Sequence, residues 1–136
     1  METSDLRRVL IVDDDSIIRE TLRILLKAEG YVVVGEANDG LKAMSMLKKT
    51  KPSLVLLDIT MPGVSGLELL EDIHKTYPEI MVVMISGEAN AETVKTAIEG
   101  GAVGYIVKPF NTANVMQNLN RAIQTSVARK KQQKSA

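Results

Sequence analysis

The chain has 136 residues, 45% of them apolar and 25% charged, the balance of one globular domain long enough to bury its own core. Lys+Arg and Asp+Glu each number 17, so no net charge draws the chain to nucleic acid or to an anionic membrane. The absence of cysteine excludes disulfides, thiolate catalysis and zinc–cysteine sites. No apolar run approaches the roughly 20 residues of a membrane span, and the polar start METSDLRRV does not read as a signal peptide. The expectation is a cytoplasmic protein.

Short apolar runs alternate five times with segments of helical period. The strands expected are 9–12, 31–34, 54–57, 80–85 and 105–107. The first, third and fourth are apolar nearly throughout, as strands covered on both faces are. A first helix is carried by Ile18, Leu22, Leu25 and Leu26 and stopped at Gly30. A second begins near Asn38 or Asp39 and runs through Ala43, Met46 and Leu47. Leu67, Leu70 and Ile73 mark a third, closed by Pro78, and Val94, Ala97 and Ile98 a fourth, closed by Gly100 and Gly101. Val115, Leu119, Ala122 and Ile123 mark the last. Strict βα alternation predicts an α/β domain with a five-stranded parallel sheet covered by helices on both faces. Five repeats are too few for an eight-stranded barrel, so the sheet is an open, doubly wound (βα)5. The basic end ARKKQQKSA, residues 128–136, carries almost no apolar surface and is expected to be a frayed helix end or disordered tail rather than a nucleic-acid arm. The domain is set at residues 1–127.

In doubly wound sheets the chemistry sits beyond the carboxyl ends of the strands. There the first strand ends in Asp13, Asp14 and Asp15, the third in Asp58, the fourth in Ser86 and Gly87, and the fifth in Lys108 and Pro109. Two carboxylates about 4 Å apart repel by roughly 4 kcal/mol at an effective dielectric near 20. Such a cluster holds a proton at raised pKa or a cation. An oxygen-only donor set without His or Cys suits Mg²⁺ rather than zinc, with Mn²⁺ able to substitute. A carboxylate beside a metal, a lysine and a hydroxyl can act as a nucleophile toward phosphorus. Each piece has a blander reading: the Asp run as a helix cap, with Asp15 or Ser16 in that role, Asp58 as a turn residue, Lys108 as a solvated charge. Their joint appearance at four strand ends favours aspartyl phosphate chemistry.

At these residues the sequence resembles the receiver domain of two-component response regulators, in size closest to single-domain chemotaxis-type receivers. The resemblance rests on IVDDDSIIR (11–19), LVLLDITMPGVSGLELL (54–70), VVMISG (82–87) and GYIVKPF (104–110), and spans about residues 8–127. It implies a flavodoxin-like strand order 2-1-3-4-5. It implies that Asp58 accepts a phosphoryl group from a sensor histidine kinase or phosphotransfer protein. Asp14 would bind Mg²⁺ directly, Asp13 mainly through water, and the Thr60 carbonyl would complete the protein ligands. Lys108 would pair with Asp58, its bond to Pro109 being typically cis in the family. Ser86 and Tyr105 would read the phosphate and change the surface formed by the fourth helix, fifth strand and fifth helix, where a partner docks. Thr60 and Glu88 would flank the attacking water and tune the lifetime of the phosphate. Such a protein catalyses only its own phosphotransfer and dephosphorylation. Ser65 stands where Asp or Asn is common, a departure of little expected consequence.

Two rival classes fit less well. An aspartate-nucleophile phosphatase of haloacid dehalogenase type needs a second Asp where Thr60 stands, and a nucleotide-binding α/β domain needs a glycine-rich loop where DDDS stands. Within the receiver reading the alternative to a stand-alone protein is the receiver part of a larger DNA-binding or enzymatic regulator. His74, the single histidine, falls away from the strand ends and is expected on a helix flank. Met44, Met46, Met81 and Met84 are expected as core filler.

Overall fold

The computed structural model describes residues 3–135. A short 3-10 helix (Thr3–Arg7) leads into five βα units: β1 (Arg8–Val12), α1 (Ser16–Ala28), β2 (Val32–Ala37), α2 (Gly40–Thr50), β3 (Leu54–Asp58), α3 (Gly66–Thr76), β4 (Met81–Ser86), α4 (Ala91–Glu99), β5 (Gly104–Val107) and α5 (Thr112–Ser135). All neighbouring strands pair parallel, in the order β2-β1-β3-β4-β5, as the resemblance implied.

Every residue of β3 and β4 is buried, because successive side chains point to opposite faces and both faces are covered. Leu10, Val12, Val55, Leu57, Val82 and Met84 point one way, into a core completed by Ala43, Leu47, Leu70, Ile73 and Ala97 of α2, α3 and α4. Their neighbours Val9, Ile11, Leu54, Leu56, Val83 and Ile85 point the other way, against Leu22 and Leu26 of α1 and Val115 and Leu119 of α5. The sheet is thereby fixed between two apolar layers, and the residues just after each strand are held at its carboxyl edge.

The helix starts are set by short polar side chains. Asp15 caps α1, accepting from the Ile17 and Ile18 N–H groups, Asp39 caps α2, and Asn90 caps α4. Ser65 caps α3 by accepting from the Glu68 N–H at 3.3 Å, so the departure at that position keeps a capping oxygen. His74 lies exposed in the last turn of α3, and Met81 and Met84 are core residues.

One strand end lies more than a residue from the sequence expectation. The second strand does not end at residue 34 but runs through Gly35 and Glu36 to Ala37, with a register shift between Val9 and Leu10 that leaves Val34 unpaired. Gly35 lies inside the ladder, opposite Leu10, and Met46 packs over it; a Cβ there would lie 2.2 Å from the Met46 Cε. At the other end, α5 runs on through residues 128–135. Ala, Arg, Lys and Gln are strong helix formers, and no Gly or Pro interrupts them after Pro109. Ala136 lies outside the described residues.

Gly66 opens α3 against the strand that carries the candidate nucleophile. A Cβ there would lie 2.1 Å from the Asp58 carbonyl oxygen and 2.6 Å from the Ile59 Cα, both backbone atoms. Gly66→Ala is therefore expected to lower stability by about 3 kcal/mol, read as a lower urea midpoint at an unchanged slope.

Candidate functional site

Because β1 continues to β2 on one side and is flanked by β3 on the other, the carboxyl ends of β1 and β3 border the crevice at the topological switch point. Asp13 follows β1 directly and Asp58 is the last residue of β3. Asp58 pairs with Ile85 across the ladder, which puts Ser86 at the adjoining end of β4. Lys108 follows β5 and is tied back to β4 by its N–H, which donates to the Ser86 carbonyl at 2.7 Å. The Lys108–Pro109 bond is cis.

Three carboxylates converge there. Oxygens of Asp13, Asp14 and Asp58 lie within 4.8 Å of one another, with Asp13 and Asp58 buried and Asp14 exposed. The Lys108 Nζ donates to Asp13 Oδ2 at 3.0 Å and stands 3.6 Å from Asp58 Oδ1. The Thr60 N–H donates to the same Asp58 oxygen at 3.3 Å. Burial, and then the charge of Asp13, push the Asp58 carboxyl up from 3.8 to about 6, against the pull of Lys108 and the Thr60 N–H; Asp14 adds to the rise. Burial alone would lower the Lys108 ammonium, but its bond to Asp13 and the charges of Asp13 and Asp58 outweigh that and raise its pKa. One ammonium thus faces more negative charge than it can neutralise. Oxygen-only donors carrying surplus charge fit a hard divalent cation.

The remaining expected residues form a second group beside the first. Ser86 is fully buried, and its Oγ accepts from the Glu88 N–H at 3.0 Å. The Tyr105 hydroxyl donates to the Glu88 carbonyl at 2.6 Å, so Tyr105 of β5 is latched to the loop after β4. The Glu88 carboxylate is exposed and accepts from the Thr93 hydroxyl at 3.3 Å. Thr60 is exposed at the mouth of the pocket.

The structure also supplies partners that no local sequence pattern announces. Arg19, the arginine that follows the acidic pair Asp13–Asp14 after four residues in the receiver pattern, donates to the Asp13 carbonyl at 2.6 Å and is salt-bridged to Glu36. Asn118 of α5 accepts from the Tyr105 N–H at 3.2 Å, supplying a partner on the open edge of β5. The acidic pair and Arg19 are read together as one sequence pattern, but the partner Glu36 comes from β2, and no local pattern announces it.

Residues 9–120 match the family model of the response regulator receiver domain. The chain is 38% identical over 115 residues to chemotaxis protein CheY of Thermotoga maritima, covering 85% of this chain and 96% of that one. It superposes with a TM-score of 0.80 and 34% identity on the solved CheX–CheY–BeF3–Mg²⁺ complex of Borrelia burgdorferi, covering 82% of this chain and 85% of the matched one. NtrX of Brucella abortus gives a TM-score of 0.87 at 36% identity, covering 95% of this chain but 29% of that one. With the sheet order, the acidic crevice and a match over most of its length, the chain belongs to the response regulator receiver domain family.

Proposed function

We propose that the chain is a response regulator whose Asp58 takes a phosphoryl group from a phosphohistidine of a sensor histidine kinase or phosphotransfer protein. The observation that carries this reading is the grouping of Asp13, Asp14 and Asp58 around the Lys108 ammonium. A carboxylate oxygen of Asp58 forms the bond to phosphorus, the bond from phosphorus to the imidazole nitrogen breaks, and its electron pair leaves with the imidazole. Lys108 is placed to follow the charge from the Asp58 oxygen to the phosphoryl oxygens, and Ser86 holds a hydroxyl able to donate to them. Asp14, Asp13, Asp58 and the Thr60 carbonyl would hold Mg²⁺, or Mn²⁺ in its place, which supplies charge neutralisation for the transferring group. The relative solved with BeF3 and Mg²⁺ supports that choice. Thr60 and Glu88, exposed at the rim, would set how readily water reaches the acyl phosphate.

The readout depends on the latch beside the pocket. A Ser86 hydroxyl recruited by phosphoryl oxygens loses its place under the Glu88 N–H, and the loop that anchors Tyr105 shifts with it. The phosphoryl group thereby stabilises one of two arrangements already available. The face formed by α4, β5 and α5 would present that change to a partner protein, and it exposes the apolar side chains of Ile98 and Val107. The extent of the match to the chemotaxis relative favours action as a single domain. The likeness to NtrX, in which the matched part is a fraction of the chain, favours the second reading, a receiver serving a larger regulator.

Incubation with acetyl phosphate and Mg²⁺ followed by intact-mass measurement tests the chemistry. One phosphoryl adduct is expected, and none when EDTA replaces Mg²⁺. Absence of an adduct under conditions that label another receiver refutes the reading.

A further inference from the structure

We propose that Arg19 is a positioning residue for the acid pocket, clamping the turn between β1 and α1 so that the Asp13 and Asp14 carboxylates face Asp58. Asp13 is fully buried, so each of its polar atoms needs a partner inside the protein. Its N–H donates to the Ala37 carbonyl at 3.0 Å. Its Oδ1 accepts from the Asp15 N–H at 2.9 Å and its Oδ2 from Lys108 at 3.0 Å. That leaves its carbonyl, and the Arg19 Nη1 donates to it at 2.6 Å.

The guanidinium is itself held in place. Its Nε donates to Glu36 Oε1 at 3.3 Å, and the other Glu36 oxygen accepts from the Arg23 Nη1 at 2.7 Å. The Arg19 side chain is 18% exposed against 47% for Arg23, so Arg19 is the inner member of this pair and Arg23 the outer. Through Arg19 the acidic turn is tied to α1 and, by way of Glu36, to the end of β2. A planar group with several fixed donors suits this double attachment, which a lysine would meet only in part.

The consequence for Mg²⁺ rests on the proposed function, and its sign separates positioning from charge. If Arg19 acted only as a nearby cation, its removal would strengthen binding of a divalent cation. If it only stiffened the fold, its removal would lower the melting temperature and leave the affinity of folded molecules unchanged. A clamp predicts weaker binding, since losing a residue that orients metal ligands typically costs about tenfold or more in affinity.

The full chain, Arg19→Ala, Arg19→Lys and Arg23→Ala are titrated with Mg²⁺ by calorimetry well below their melting temperatures. Amide hydrogen exchange at the Asp15 N–H is followed in parallel without metal. Arg19→Ala is expected to weaken Mg²⁺ binding about tenfold and to speed exchange at Asp15. Arg19→Lys should fall between it and the unsubstituted chain, and Arg23→Ala should match the latter. Unchanged or tighter Mg²⁺ binding in Arg19→Ala, unchanged exchange at Asp15, or an equal loss in Arg23→Ala each overturns the clamp. Failure of the unsubstituted chain to bind Mg²⁺ refutes the metal reading instead, and the metal-free exchange measurement then still decides on the clamp.

Discussion

Asp58→Asn is expected to make the metal-free protein more stable at neutral pH while leaving it unable to take a phosphoryl group. The folded protein holds the Asp58 carboxyl at about 6 against 3.8 for a free side chain, through burial first and then the charge of Asp13. A carboxyl whose pKa rises on folding binds protons more tightly in the native state, so its contribution to stability falls as pH rises from about 4 through 6. At full strength that shift corresponds to about 3 kcal/mol. Water reaching the pocket mouth screens the charges and reduces the expected gain from Asn to about 1–2 kcal/mol above pH 6. The gain should fade toward pH 4, where Asp58 is protonated in the native state and the penalty on its charged form is largely gone. Thermal melts of the two proteins across that range, in EDTA, check both sign and window. Mg²⁺ should reverse the order at neutral pH, because saturating ligand at about 100 times its dissociation constant adds about 2.7 kcal/mol to the protein that binds it. Asp14→Ala should abolish the Mg²⁺-dependent rise. An Asn variant that melts lower than the parent chain at pH 7 without metal would show that the crowding of charge around Asp58 is relieved in some other way.

Lys108→Ala is expected to separate two quantities that usually move together. In the metal-free protein it removes the cation shared by Asp13 and Asp58, leaving two buried carboxylates without their ammonium. Breaking a buried pair from one side costs roughly 3–5 kcal/mol. With Lys108 itself 22% exposed, a loss of about 2–3 kcal/mol is expected. Mg²⁺ affinity should move the other way and increase, because the pocket has lost a competing positive charge. Transfer from acetyl phosphate should nevertheless slow by about a hundredfold, the usual effect of deleting one preorganised donor to developing charge. Calorimetric titration and the rate of adduct formation, measured on the same sample, give the two signs. Weaker Mg²⁺ binding in Lys108→Ala would mean that the lysine shapes the pocket rather than neutralising it.

The placement of the acids, the hydroxyl and the lysine at the strand ends was legible because it depends on local pattern. LVLLD reads as a buried run ending in an acid, and its burial on both faces follows from its composition. The same holds for RVLIV before the Asp run and for MVVMIS, which ends in Ser86. Strand 2 was harder to read. The pair Gly35–Glu36 looks like a strand end locally, and only the pairing of Gly35 with Leu10 of β1 shows that the glycine belongs inside the ladder. The end of α5 is hard to read for a related reason. Polar, basic residues carry no burial signal, yet their intrinsic helical preference carries the helix on once Val115, Leu119, Ala122 and Ile123 have docked it.

By itself the sequence determined the alternation of strands and helices, the identity of the acids, the hydroxyl and the lysine at the strand ends, and the cap of the first helix. These follow from periods of two and 3.6 residues and from short-range hydrogen bonding. Tertiary structure alone decided which of those charges meet. The pKa of Asp58 rises because its strand is buried in the sheet and because β1 lies beside β3 and brings Asp13 to its carboxylate. Lys108 reaches both acids because β5 follows β4 at the sheet edge. Arg19 finds Glu36 because α1 and the end of β2 close over one turn. Electrostatic energy falls off with distance in space and is indifferent to distance along the chain, so these values exist only once the sheet has assembled.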